Sequence, residues 1–193
     1  ADTHVLDVVN YIKWHDLKDV CLVDHSYGGN IITGAAGQVP EAIASMVYLD
    51  AQVPFETGYS LQKTANPARW AGFQKQIDAG AVGVEADLFH AWSDKPETIA
   101  WLKTKCTPHP AGCMTSGVTL TGREAEVARK LYILAARNKG SLFWAERDKV
   151  ASLPGWSTAE IDSMHDAMID APEELARMLL SFAAGTGSAR ARH

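Results

Sequence analysis

Two rhythms of apolar positions alternate along the chain. Val5, Val8, Val9 and Ile12 recur at helical spacing behind Asp2 and Thr3, which suit a helix start, so residues 3–14 read as a helix. Val20-Cys21-Leu22-Val23 is an unbroken apolar run flanked by polar residues, the pattern of a short strand covered on both faces. The small, apolar stretch 28–38 reads as a helix lying close on a sheet. Residues 45–49 and 131–135 repeat the buried-strand pattern, and residues 161–164 suggest a short fourth strand. Residues 172–183 read as a helix, with Pro172 in its first turn and Glu173-Glu174 at the positive end of its dipole. Strands alternating with helices predict an α/β fold, a mostly parallel sheet with helices on both faces.

Residues 54–121 break this rhythm. Pro54, Pro67, Pro96, Pro108 and Pro110 separate short helical patterns that carry Trp70, Trp92 and Trp101. An insertion of that length between two strands predicts a helical lid. Its aromatics Trp70, Phe89 and Trp92, together with Met168 from a later loop, are candidate walls of a substrate pocket, although each also suits plain core. The small, basic tail 185–193 predicts disorder, leaving 1–184 as one domain.

Composition narrows the function classes. The 193 residues are 47% apolar and 21% charged, enough for one core of ordinary size. A net charge of −5 argues against a general nucleic-acid binder, which needs surplus Lys and Arg to neutralise phosphates. No apolar run approaches a membrane span, and Ala1-Asp2-Thr3-His4 lacks the order of a signal peptide. Three cysteines cannot all pair, so a reduced, cytoplasmic setting is expected, and a local Cys106–Cys113 bridge is disfavoured there. Cys106 and Cys113 lack the His pair of a metal site, and no P-loop or dinucleotide fingerprint occurs, so no cofactor is implied.

The chemistry concentrates in Leu22-Val23-Asp24-His25-Ser26-Tyr27-Gly28-Gly29, between the first strand and the small-residue helix. A strand that turns sharply into a helix can hold one side chain on a strained backbone above the sheet edge, as in a nucleophile elbow. Ser26 is then the candidate nucleophile, and the Tyr27 N–H a donor to a developing oxyanion. Asp24 to Gly29, Val47 to Pro54 and His165-Asp166-Ala167-Met168 follow one another as in the α/β-hydrolase superfamily, which the chain resembles from about residue 1 to 184. Within it, the chain looks most like small bacterial esterases related to plant methyl esterases and hydroxynitrile lyases. Cys106-Thr107-Pro108-His109-Pro110, Leu120-Thr121-Gly122 and Tyr132-Ile133-Leu134-Ala135 are similar to carbamate and aryl-ester hydrolases of the carbendazim-hydrolase type.

That resemblance implies a serine hydrolase acting on a small ester or carbamate, with His165 as base in the family order Ser, acid, His. His25 is expected to point into the scaffold, His4 and His15 to be surface or structural, and His90 and His109 to pack in the insertion. Many family members carry the acid just after the strand matching 131–135, but here residues 136–141 hold no carboxylate. Asp50, at the end of the preceding strand, is the preferred acid, with Glu146 and Asp148 as alternatives in a following helix. The family has a small residue where this chain has Asp24, so crowding of the helix and a charge near the oxyanion are expected. That departure supports a second reading, an impaired hydrolase-fold protein that binds a ligand or partner, and a hydroxynitrile-lyase-like enzyme is a third. The nucleophile strand is about the fifth of eight in the family yet begins here at residue 20, which implies missing N-terminal strands and half an oxyanion hole. A homodimer or a second chain supplying those strands is the matching expectation.

Overall fold

The computed structural model describes residues 1–85 and 89–185, apart from the side chain of Arg69; the tail expected to be disordered lies, beyond Gly185, outside the described residues. The principal sheet has four parallel strands, β1 (Val20–His25), β2 (Ile43–Leu49), β5 (Lys130–Ala135) and β6 (Trp156–Ile161), in the order β1-β2-β5-β6. Its helices are α1 (Asp2–Trp14) and α2 (Gly28–Gln38) around β1, α8 (Leu142–Val150) between β5 and β6, and α9 (Ala167–Asp170) and α10 (Pro172–Ala183) after β6. Between β2 and β5 the chain forms α3 (Leu61–Thr64), α4 (Pro67–Asp78), α5 (Phe89–Trp92), α6 (Pro96–Lys105) and α7 (Ala111–Thr115). A two-residue pairing of β3 (Gly83–Val84) with β4 (His109–Pro110) joins them. This is the helical lid.

Strand pleating sorts the apolar residues into two layers. Met46, Tyr48, Tyr132 and Leu134 face one cluster with Val5, Val9, Ile12, Ala35, Phe143 and Val150, so α1, α2 and α8 cover that side. The alternate residues Val47, Leu49, Leu131 and Ile133 face Ala167, Leu175 and Phe182 of α9 and α10. Both faces of β2 and β5 are covered, which is why these strands are continuous apolar runs. β1 is an edge strand, and Val23 on it is 42% exposed.

One boundary differs from expectation. The fourth strand ends at Ile161, where it was expected to begin, and residues 162–166 are the loop that carries His165. β6 lies at the other edge of the sheet, so only Ile161 is fully covered and Trp156 to Glu160 mix polar with half-buried residues. No apolar run marks such a strand.

Close approach explains the small residues of α2. A Cβ on Gly29 would fall within bonding range of the Gln52 carbonyl oxygen, because the helix start lies against the chain leaving β2. Gly29→Ala is expected to lower unfolding stability by about 3 kcal/mol or more in urea titration. Gly112→Ala, where nothing lies within 4 Å, should stay within about 1 kcal/mol of the parent.

Candidate active site

The turn from β1 into α2 carries the strain expected of an elbow. Ser26 has φ +60°, a region that non-glycine residues rarely occupy. Such a backbone costs about 1–3 kcal/mol and persists only when its surroundings hold it. Here the Ser26 N–H donates to the Leu49 carbonyl (3.2 Å) and the Ser26 carbonyl accepts from Gln52 N–H (2.9 Å). The Tyr27 N–H, at the start of α2, has no backbone partner among the described residues. It is the amide the sequence assigned to an oxyanion.

Asp50 ends β2 in a second strained conformation, φ +40°, and is fully buried. Its backbone N–H is tied to the Ile133 carbonyl at 2.7 Å, and its Oδ1 accepts from the Ala135 N–H at 3.2 Å. Oδ2 accepts from Asn138 Nδ2 (2.8 Å) and from His165 Nδ1 (2.7 Å). A carboxylate can only accept, so Nδ1 carries the ring proton and leaves Nε2 free to accept from the Ser26 hydroxyl, 3.0 Å away. The structure therefore joins Ser26, His165 and Asp50 in one hydrogen-bonded row. Glu146 is turned elsewhere, accepting from the Tyr59 hydroxyl at 2.6 Å, and exposed Asp148 pairs with Arg147 at 2.7 Å.

The His165 ring is also held on its faces. Phe143 stacks on it at 5.0 Å with planes 6° apart, and His25 lies 4.2 Å away, tilted. His25 Nε2 donates to the His165 carbonyl (3.0 Å), and burial beside His165 pushes its pKa down to about 3, which keeps it neutral. Asp166, which burial pushes up to about 6, lies 3.8 Å from His25 Nε2, a polar contact rather than an ion pair because the imidazole is neutral. His25, His165 and Asp166 bring possible metal-ligating atoms within 4.8 Å of one another, but both histidines already spend nitrogens on the bonds above.

Asp24 departs from its expected effect in one respect. Its carboxyl does press on the helix: a Cβ on Gly28 would collide with Oδ1, so glycine there is what makes room. Asp24 is not turned toward the oxyanion, because its side chain packs against α2 and does not line the cavity, and burial without a hydrogen-bond partner drives its pKa well upward. A raised folded-state pKa means that stability is fully present below the unfolded value of about 3.9 and is lost as pH rises through the folded one. Asp24→Asn is therefore expected to match the parent near pH 4 and to exceed it by about 1–3 kcal/mol at pH 8 in chemical denaturation. Parallel pH profiles for the two proteins would refute this.

Above the row of three lies a cavity of about 1030 Å³. Ser26, Tyr27 and His165 form its floor, Leu142 and Phe143 one wall, and Leu61, Phe73, Val84, Phe89, Trp92 and Met114 of the lid much of the rest. Phe89 and Trp92, named from the sequence as candidate walls, line this cavity. Trp70 and Met168 are not among the lining residues. Trp70 packs edge-on against Phe73 at 6.2 Å and donates its indole N–H to Gln74, so Phe73 faces the cavity in its stead. Met168 lies on the outer side of α9, 39% exposed. Sequence reasoning missed Asn138, which stands in the very loop searched for an acid and grips Asp50 with an amide. Phe143 of α8 went unpredicted as well, since nothing in the sequence distinguishes a ring that stacks on His165 from ordinary helix core. All three cysteines are free, Cys113 lying 3.9 Å from His4 Nδ1. Among the described residues no helix is long and apolar enough to cross a membrane.

A parallel sheet flanked by helices, a strained serine at a strand-to-helix turn and a helical lid over it define an α/β-hydrolase, and the chain belongs to that family. No family model matches the sequence. Its similarity to a curated protein is specific: it is 35% identical over 190 residues to a carbendazim hydrolyzing esterase of Nocardioides sp. (strain SG-4G), covering 92% of this chain and 77% of the relative. Among solved structures, an extracellular α/β-hydrolase from a Paenibacillus species superposes with a TM-score of 0.81 at 22% identity, over 93% of this chain and 77% of that one. A variant of tomato methylketone synthase I superposes with a TM-score of 0.65 at 23% identity, over 88% and 72%. The protein is an α/β-hydrolase of the esterase type.

Proposed function

We propose that this hydrolase cleaves small carboxylic esters or carbamates through an acyl-enzyme on Ser26. The observation that carries the reading is the row Ser26 Oγ, His165 Nε2, His165 Nδ1, Asp50 Oδ2, with links of 3.0 and 2.7 Å. His165 Nε2 takes the hydroxyl proton as Ser26 Oγ attacks the carbonyl carbon, and Asp50 stabilises the imidazolium. The Tyr27 N–H, with the positive end of α2 behind it, donates to the oxyanion. The imidazolium then protonates the leaving alcohol or amine as the tetrahedral intermediate collapses. Water, deprotonated by His165, attacks the acyl carbon and restores the Ser26 hydroxyl. Atoms balance with water alone, in keeping with the absence of any cofactor motif. The name of the Nocardioides relative supports an aryl carbamate or similar flat ester as substrate, and Phe89, Trp92 and Phe143 offer such a group apolar surface.

The reading that this fold binds without turnover draws on Asp24 and on the lack of an upstream His-Gly oxyanion loop; Asp24 faces away from the cavity, and the bonded row at Ser26 favours esterolysis. Incubation with diethyl p-nitrophenyl phosphate should inactivate the enzyme with one equivalent of label per chain, found on the peptide containing Ser26. Label on another residue, or full activity after stoichiometric exposure, would overturn the assignment.

A further inference from the structure

A buried acid lies next to the site, outside the row of three. The Asp170 side chain is completely shielded from solvent at the end of α9, and its partners come from three separate parts of the chain. Oδ1 accepts from the Ser93 hydroxyl at 2.9 Å and lies 3.6 Å from Lys95 Nζ, both in the lid. Oδ2 accepts from the Met164 N–H at 3.2 Å, in the loop that carries His165, and from Arg137 Nη2 at 3.4 Å, in the loop that carries Asn138. Lys95 Nζ also donates to the Asp170 backbone carbonyl at 3.3 Å.

The same two segments meet again beside the base. His165 N–H donates to the Ala91 carbonyl (3.1 Å) and Asp166 N–H to the Trp92 carbonyl (3.0 Å). Arg137 reaches back to the lid at Asp94 (2.7 Å), and its own N–H donates to the Ser163 carbonyl (3.0 Å). The lid end is thus sewn to the His165 loop by two backbone bonds, and Asp170 is the charged knot beside that seam. A carboxylate removed from water is stable there only because donors converge on it, so their positions are set by it as much as it is by them.

We propose that Asp170 is a positioning residue for the hydrolase reaction. It fixes the His165 loop to the lid segment Ala91–Lys95, so that the base and the cavity wall at Trp92 are set in register together. The proposal rests on the reading of Ser26, His165 and Asp50 as the reacting row. A displacement of the base by about 1 Å is enough to cost roughly a hundredfold in rate. Packing alone, by contrast, would affect only how much of the protein is folded.

The test uses p-nitrophenyl acetate hydrolysis, with kcat normalised to the sites titrated by the organophosphate. Asp170→Ala should lower kcat per titrated site roughly 10- to 100-fold, with a smaller change in KM. It should also broaden or shift the low-field proton resonance of the His165 Nδ1–H. Asp170→Asn, which keeps an acceptor for Met164 N–H, should recover most of kcat. Ser93→Ala removes the hydroxyl bond to Asp170 together with the acceptor of the Lys95 N–H (3.3 Å), leaves the carboxylate its bonds to Met164 and Arg137, and should fold normally, giving a several-fold loss with the same change in the proton signal. A kcat per site within twofold of the parent in Asp170→Ala overturns the proposal. If that variant does not fold, an unchanged kcat and unchanged proton signal in Ser93→Ala overturn it equally. Failure of the underlying reading is seen separately, as turnover that survives Ser26→Ala. In that event the His165 proton signal decides the positioning claim on its own.

Discussion

Ser26→Ala should reduce kcat for p-nitrophenyl acetate by about 10⁶-fold while leaving the protein folded and the cavity able to bind ester. The size follows from what the hydroxyl does in the proposed reaction. Without Oγ there is no acyl-enzyme, and a water attacking directly has neither the fixed 3.0 Å approach to His165 Nε2 nor the serine's place beneath the carbonyl. What persists is the Tyr27 amide, the start of α2 and the apolar walls, which leave a residual rate above that in water. Folding should survive because alanine keeps the backbone bonds to Leu49 and Gln52, although φ +60° is strained for it as well. Initial rates, with binding of a non-hydrolysable ketone analogue by calorimetry, separate the two effects. A loss below tenfold would remove Ser26 from the chemistry.

Asp50→Asn should lower kcat by about 10⁴-fold with little change in KM, whereas Glu146→Gln should stay within about threefold of the parent. Asparagine preserves the shape of a fully buried site but can present an N–H to His165 Nδ1 where the carboxylate could only accept. The ring then takes the other tautomer, Nε2 carries the proton, and it cannot accept the one on Ser26. The neighbouring Asn138 amide sharpens the effect, since its donor would face another amide in place of Oδ2. Glu146 is bound to Tyr59, and losing its charge leaves that hydroxyl an acceptor. Steady-state kinetics on the two variants decide between the acids, and the reverse ranking would return the assignment to α8.

The contrast between these two acids shows what a sequence carries and what it does not. β2 and β5 were legible because burial on both faces writes an apolar run, and α2 because close approach to the Gln52 carbonyl admits almost no side chain at Gly29. The elbow combined both signals, so Ser26 stood out. β6 at the sheet edge left no such mark, and the strand was placed past its true end. Trp70 and Met168 failed for a related reason: composition marks a lid as aromatic, but which ring faces inward depends on crossing angles that short helices do not encode. Asn138 is not legible because an amide in a polar loop after a strand looks like an ordinary turn residue until the buried carboxylate it grips is known. The contacts of Asp170 join residues 93, 95, 137, 164 and 170, and no periodicity links positions so far apart.

The cavity walls therefore differ in how freely they can be altered. On one side the Ala91 and Trp92 carbonyls accept backbone bonds from the base and from its neighbour Asp166, and Phe143 stacks on the base's ring, so a change of substrate-facing shape there also perturbs the reaction. On the other side Leu61, Phe73, Val84 and Met114 belong to α3, α4, β3 and α7, in the part of the lid before and after that seam. Diversification confined to those four positions should widen or narrow the range of esters accepted at nearly constant kcat. In such a fold, selectivity can drift along one bank of the pocket while the machinery on the opposite bank stays still.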